Sequence, residues 1–321
     1  MQGLHDVLQP AGPAAAHIAT LWWLTLAICG AVFIAILVAF LIALVRAPRA
    51  DAATPPDLAP LGSAEPRTRL VVSIAVACSI VGLLVLLAGS IAADRALARM
   101  PEDDALHIQV TGHQWWWDVI YDDPQPSRRF QTANEIHIPV GRPVLLSLQS
   151  GDVIHSFWVP NLAGKKDLIP GHILTLRLQA DKAGTYRGQC AEFCGLQHAF
   201  MGFEVIAESP QAFAAWSDAQ REPAHAPSDP GTTRGHDLFL TGTCMMCHAI
   251  AGTPAGARAG PDLTHVASRK WLAAGAVPND PEHLAAWIRD PGQFKPGAQM
   301  PPHAVPKDEL DALVAYLETL R

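Results

Sequence analysis

Two long apolar runs dominate the first third of the chain. Leu21 to Val45 is 25 residues without a formal charge, closed by Arg46. Leu70 to Ala93 is a second such run, closed by Asp94-Arg95. About 20 apolar residues cross the hydrocarbon core of a bilayer, so both runs predict transmembrane helices. Their expected bounds are about 18–46 and 69–94, within an N-terminal anchor over residues 1–95. Trp22 and Trp23 stand at the start of the first run, where indole rings favour the membrane interface. A fully buried soluble helix is the alternative, and runs of this length disfavour it.

The texture changes after residue 105. Short β-prone runs alternate with turn residues: 107–111, 115–121, 135–139, 144–148, 172–178, 184–188 and 202–206. This spacing predicts an antiparallel β-sandwich or barrel over residues 105–218. Residues 219–230 hold Pro, Ala, Ser and Asp without periodicity and read as a linker. Helical patterns follow over residues 231–321. Pro281 opens one helix, and another places Leu310, Leu313, Val314 and Leu317 on one face. The last segment is expected to be a small all-α domain, and the whole chain a multidomain membrane protein.

Charge adds an orientation. Arg46, Arg49, Arg67 and Arg69 lie between the two apolar runs, while the residues before the first run hold no Lys or Arg. The positive-inside tendency then puts the connecting loop in the cytoplasm, with both termini and the soluble domains on the outer face. The first run is too long for the core of a cleaved signal peptide and has no basic residue before it. The net charge of −7 argues against a nucleic-acid partner. Between Glu102 and Glu222 there are fifteen acidic and nine basic residues, so the expected sandwich carries most of the negative charge.

The six cysteines form three pairs. Cys29 and Cys78 lie in the apolar runs and behave as small hydrophobes. Cys190 and Cys194 belong to a C-x3-C-x3-H-x2-M array that ends in His198 and Met201. Two thiolates, an imidazole and a thioether suit redox-active copper better than zinc. A loop of this kind calls for a further ligand from elsewhere. His155, in Gly151-Asp-Val-Ile-His155-Ser-Phe-Trp, is the candidate.

Cys244-Met-Met-Cys247-His248 is a C-x-x-C-H motif, which reads as covalent attachment of a c-type haem with His248 as an axial iron ligand. Met300, in Gly297-Ala-Gln-Met300-Pro-Pro, is the expected second axial ligand, with His265 and His303 as rivals.

Three segments in order carry a resemblance to a known family: Gly112-His-Gln-Trp-Trp-Trp117, the stretch around His155, and the Cys190–Met201 loop. Together they resemble subunit II of haem–copper cytochrome c oxidases over roughly residues 15–215. The segment from Cys244 to Met300, with Gly260-Pro-Asp-Leu, is similar to class I cytochromes c. The resemblance implies two membrane helices, a cupredoxin-like copper A domain and a cytochrome c domain. It implies a dinuclear copper A held by His155, His198, Cys190, Cys194, Met201 and the Glu192 carbonyl. It further implies a magnesium ion at the Glu192 side chain beside subunit I, and electron entry to copper A at Trp115. Three consecutive Trp cannot all face inward on a strand, so at least one is expected to be exposed or at an interface. Asp152 is a candidate for docking a basic cytochrome c.

On this resemblance the chain is an electron-transfer subunit of an oxygen-reducing, proton-translocating terminal oxidase in the bacterial inner membrane. Its expected partners are a catalytic subunit I, other oxidase subunits, membrane lipid, and cytochrome c or a similar donor. Electrons would run from the covalent haem c through copper A to subunit I, which holds the oxygen site. Two other readings stay open. One is the copper A subunit of a nitric oxide reductase-like complex, and the other is an anchored electron carrier without an oxidase partner. The family's second helix opens with a carboxylate at a proton entrance. Here Arg69-Leu-Val-Val-Ser has none, and Glu65 is several residues early.

Overall fold

The structure is a computed structural model that describes residues 5–47, 53, 55 and 65–321. Most of the segment joining the two apolar runs, including Arg49 and the Pro- and Ala-rich stretch expected to be irregular, lies outside the described residues. The chain forms two compact units: residues His17–Arg99, and the residues up to Ala16 together with Met100–Arg321.

The first unit is built on helices α1 (Pro13–Arg46) and α2 (Pro66–Ala98), both long and apolar enough to cross a membrane. Both are longer than the apolar runs that announce them. Proline suits a first helical turn, because its fixed φ is already helical and its missing N–H would be unpaired there anyway. Charged Arg67, Arg69, Asp94 and Arg95 continue α2, since backbone bonding does not depend on side-chain polarity. Glu65 therefore sits at the N-cap of α2 rather than well ahead of it, and no acidic residue follows in the first turn. Small residues let the helices approach: a Cβ on Gly89 would lie 3.0 Å from Leu24 Cδ2.

In the second unit, ten strands form a two-sheet sandwich. They are β1 (Leu106–His113), β2 (Trp116–Asp122), β3 (Phe130–Ala133), β4 (Glu135–Pro139), β5 (Val144–Ser150), β6 (His155–Trp158), β7 (Lys166–Leu168), β8 (Leu174–Leu178), β9 (Gly184–Cys190) and β10 (Gly202–Glu208). One sheet has the order β3-β2-β1-β5-β8 and the other β4-β10-β9-β6-β7. Pairing is antiparallel except for β1 with β5 and β4 with β10. Alternation along the strands turns Ile108, Val110, Val119, Leu146, Leu148, Ile138, Phe157 and Phe203 into a shared core.

Three of these strands, β3, β6 and β7, have only three or four residues. The sandwich region also ends in a helix, α3 (Pro210–Ala219), whose N-cap Ser209 hydroxyl accepts the Ala212 N–H at 3.2 Å. Trp216 on α3 stacks on His137 with ring centroids 3.9 Å apart and meets Tyr121 edge-on. The N-terminal lead-in is docked as well. Ala11 N–H donates to the Asn161 carbonyl at 2.7 Å, and the buried Asn161 amide donates to the Asp6 and Gln9 carbonyls at 2.8 Å.

The C-terminal part holds α4 (Pro230–Thr241), the short pair β11 (Trp271–Leu272) and β12 (Val277–Pro278), α5 (Pro281–Arg289) and α6 (Lys307–Leu317). Asp229 caps α4 by accepting the N–H groups of Gly231 and Thr232. Gly235 permits the α4–α6 crossing, because an added Cβ would strike the Ala312 carbonyl. Phe239, Ile250, Val266, Leu284, Ile288, Leu313 and Leu317 form the core beneath them.

Candidate functional site

The sulfur-bearing loop starts where β9 ends and stops where β10 begins. These strands are antiparallel neighbours, so Cys190 and Met201 meet at one end of the sheet, where Cys190 N–H donates to the Met201 carbonyl at 3.0 Å. β6 lies on the other side of β9, with Phe157 opposite Cys190. His155, two residues earlier on β6, thus arrives beside the loop from 35 residues away. Gly112 on the facing sheet leaves room for it, since a Cβ there would lie 2.9 Å from His155 Cδ2.

The ligand atoms of His155, Cys190 and Cys194 lie within 4.8 Å of one another, and all three residues are buried. The two Sγ atoms are 3.8 Å apart, too far for a disulfide. Cys194 Sγ is 3.6 Å from His198 Nδ1 and 3.8 Å from Met201 Sδ, while Cys190 Sγ is 3.1 Å from the Glu192 carbonyl. Two imidazoles, two sulfurs, a thioether and a carbonyl therefore surround one small volume, a donor set that fits copper. The Glu192 side chain is exposed and lies outside this group of metal-ligating side chains.

Partners outside the ligand set orient it. Asp152 Oδ1 holds His155 Nε2 at 2.8 Å, which leaves Nδ1 to the sulfurs. Asp152 also accepts the Gln114 N–H and the Val153 N–H, each at 2.6 Å. Its carboxylate thus has one imidazole and two backbone N–H groups as partners and stays partly exposed. The Gln114 amide and the Trp115 indole both donate to the Cys194 carbonyl, at 2.7 and 3.0 Å. The Cys194 sulfur beside it holds the Cys190 thiol down to about 3 against the cost of burial, and the same partnership pushes Cys194 up. Burial disfavours a charged His155, but the Cys190 sulfur and Asp152 outweigh it and the net shift is upward.

The second site is a largely apolar cavity of about 470 Å³. Cys244, Cys247, His248 and Met300 all line it. The Pro261 carbonyl is 2.7 Å from His248 Nδ1 and fixes the ring so that Nε2 is the nitrogen left for a metal. Gly260 allows that packing: a Cβ there would lie 2.7 Å from His248 Cε1. Burial lowers the His248 pKa and keeps the ring neutral, as a ligand must be. Arg269 lines the cavity too, buried, with its Nε–H unpaired. A cavity with an unpaired guanidinium N–H in its wall suits a flat apolar group with an anionic edge, so the residues present fit a haem. Of the rival ligands, His303 lines the cavity. His265 does not, and both its ring nitrogens are buried without a partner.

Trp115 and Trp116 also line this cavity, although they belong to the sandwich. Trp117 is buried in the sandwich core. Trp115 is half-buried, with its indole on the sulfur loop and its ring at the edge of the second cavity. Gln114 lies in a segment that the sequence singles out, but its bond to the sulfur loop is visible only in the structure. Arg269 and Lys295 carry no signal in the sequence, because a lone Arg or Lys looks the same whether solvated or buried.

Residues 106–208 match the family described as cytochrome c oxidase subunit II, periplasmic domain, and residues 232–321 match cytochrome c. A cytochrome c oxidase subunit 2 from Alkalihalophilus pseudofirmus is 39% identical over 220 residues, covering 68% of this chain and 62% of the relative. One from Bacillus subtilis is 32% identical over 231 residues, covering 68% and 63%. The chain thus spans a little under two thirds of the length of these curated relatives. The solved periplasmic domain of subunit II of cytochrome oxidase from Bradyrhizobium japonicum is 31% identical, with 97% of it and 38% of this chain covered at a TM-score of 0.36. With the sulfur loop, its distant histidine and the haem-binding motif all in their matched regions, the chain belongs to the cytochrome c oxidase subunit II family and carries a cytochrome c domain.

Proposed function

We propose that this chain is the electron-transfer subunit of a haem–copper terminal oxidase. Its soluble domains would lie on the outer face of the bacterial inner membrane, beside a catalytic subunit I that reduces oxygen. The domain division behind this reading is an anchor over 1–95, a copper domain over 105–218, a linker over 219–230 and a cytochrome domain over 231–321. The observation that carries it is the convergence of His155, Cys190 and Cys194 within 4.8 Å, next to a cavity lined by Cys244, Cys247 and His248.

Dinuclear copper in the first site and covalent haem in the second would supply reversible one-electron chemistry. Cys190, Cys194, His155, His198, Met201 and the Glu192 carbonyl would hold the copper pair. His248 and Met300 would hold the haem iron, with Cys244 and Cys247 as its covalent attachment. Asp152 keeps His155 in one tautomer. The stiffness of the sandwich around these ligands limits how far they relax when charge changes. Trp115 bridges the two sites, bonded to the Cys194 carbonyl on one side and lining the cavity on the other. Fusion gives the donor domain a high effective concentration at its acceptor.

The test is composition and turnover of the purified complex. Metal analysis should give two coppers per chain, and the haem should resist extraction by acidified acetone. Reduced cytochrome c should drive oxygen consumption. One copper per chain, or extractable haem, would overturn the cofactor assignment. The absence of a carboxylate from the first turn of α2 favours a nitric oxide reductase-like complex as the second reading. Consumption of nitric oxide in place of oxygen would select it.

A further inference from the structure

Lys295 is buried, at 3% exposure, and among the described residues no carboxylate contacts its ammonium. Its ammonium donates to three backbone carbonyls on three separate segments. These are Trp115 at 2.7 Å, Phe200 at 2.9 Å and Ala273 at 3.1 Å. Trp115 lies in the turn between β1 and β2 of the sandwich, and Phe200 lies in the sulfur loop, one residue before Met201. Ala273 belongs to the cytochrome domain, as Lys295 does. A buried ammonium is costly unless its protons are all matched. Here the matching is complete only when the cytochrome domain sits on the copper loop.

Neighbouring contacts converge on the same place. The Gln197 amide in the sulfur loop donates to the Pro296 carbonyl at 2.7 Å. Gly297 has φ +83°, and a Cβ there would lie 3.0 Å from Leu196 Cδ2 and 3.8 Å from the Trp115 ring. Ala273 and Ala274 both hold left-handed backbone, at φ 53° and 57°, which is unfavourable for alanine. The turn they form packs on β2 and β10 and presents the Ala273 carbonyl to Lys295. Strain of this kind persists where surrounding structure over-determines it. Lys295 also stands five residues before Met300, on the loop that lines the haem cavity.

We propose that Lys295 is a positioning residue that locks the cytochrome domain onto the copper loop, keeping the haem cavity against Trp115. The purpose of the lock rests on the proposed electron path, but its existence does not. It is a polar lock and not a packing plug. Three hydrogen-bond donors on one cation reach both domains at once, a task that no apolar side chain of the same length performs.

The experiment compares the full-length chain in its complex with Lys295→Met and Lys295→Arg. Hydrogen exchange over residues 113–117 and 195–200 reports docking. The rate of haem-to-copper electron passage after a reductant pulse reports its use. Lys295→Met should raise exchange in both segments and slow passage about tenfold or more, since small misplacements carry large rate costs. Haem and copper content, spectra and midpoint potentials should stay unchanged. Lys295→Arg, which keeps charge and several N–H donors, should stay within about threefold of the native chain. Native exchange and native rate in Lys295→Met, or a better rescue by Met than by Arg, would overturn the proposal. Acylation of lysines in the native complex gives a reading that does not depend on any variant folding. Lys295 should react about a hundredfold more slowly than exposed Lys307, and equal rates would also overturn the lock. A chain without copper or haem would sink the proposed function and leave the exchange and acylation readings intact.

Discussion

The Asp152 carboxylate lies 2.8 Å from His155 Nε2, so the Nδ1 of that histidine is the nitrogen turned toward Cys190. The pair sits three residues apart across the bend that starts β6, and two backbone N–H groups keep the carboxylate in place. Asp152→Asn should therefore weaken copper retention about 10–100-fold, the usual cost of losing such a partner. Copper titration followed by the paramagnetic signal of the site checks this. Haem content should not move.

Met300 lines the haem cavity together with His248. Met300→Leu should leave the haem attached through Cys244 and Cys247, lower its midpoint potential and change its visible spectrum, because a thioether ligand raises the potential. His303→Ala should leave both unchanged. The opposite pattern would make His303 the ligand.

Gly260 packs against a histidine ring already pinned by the Pro261 carbonyl. Gly260→Ala should destabilise the cytochrome domain by about 1–3 kcal/mol, the range for overpacking at a site that cannot relax. Thermal melting followed in the haem band, together with the yield of covalently attached haem, reads the effect.

Asp280 caps α5 by accepting the His283 N–H at 2.9 Å, with the His283 ring adding a second bond. These bonds hold its carboxyl below the ordinary range. A group with a depressed folded pKa contributes stability that is complete above its unfolded value and is lost as pH falls through its folded value. The difference in melting temperature between the native chain and Asp280→Ala should be full at neutral pH and shrink below about pH 4. A difference that does not change with pH would mean that the charge of the cap contributes nothing.

Much of the architecture is visible as pattern. The two apolar runs, the alternation of Ile108 with Val110 and of Leu146 with Leu148, and the face of Leu310, Leu313 and Leu317 each follow from a local period. Other elements carry no such period. β6 and β7 are three or four residues long, too short for alternation to register. α3 is ten residues, and its membership in the sandwich depends on Trp216 finding His137 and Tyr121. The extra turns of α1 and α2 are polar or proline-led, so hydropathy stops short of them while the backbone bonding does not.

The sequence by itself determined the chemistry of the two sites. Cys190, Cys194, His198 and Met201 lie within one loop, and Cys244, Cys247 and His248 within one turn, so local spacing brings the donors together whatever the rest of the chain does. Tertiary structure decided everything that depends on partners far apart in sequence. It set His155 beside Cys190 through the pairing of β6 with β9, bonded Asp152 to its ring, and enclosed Lys295 between carbonyls 180 and 95 residues away. The physical reason is that a side chain's role follows from its neighbours. For a buried cation or a lone histidine, those neighbours exist only after the domains have folded and met.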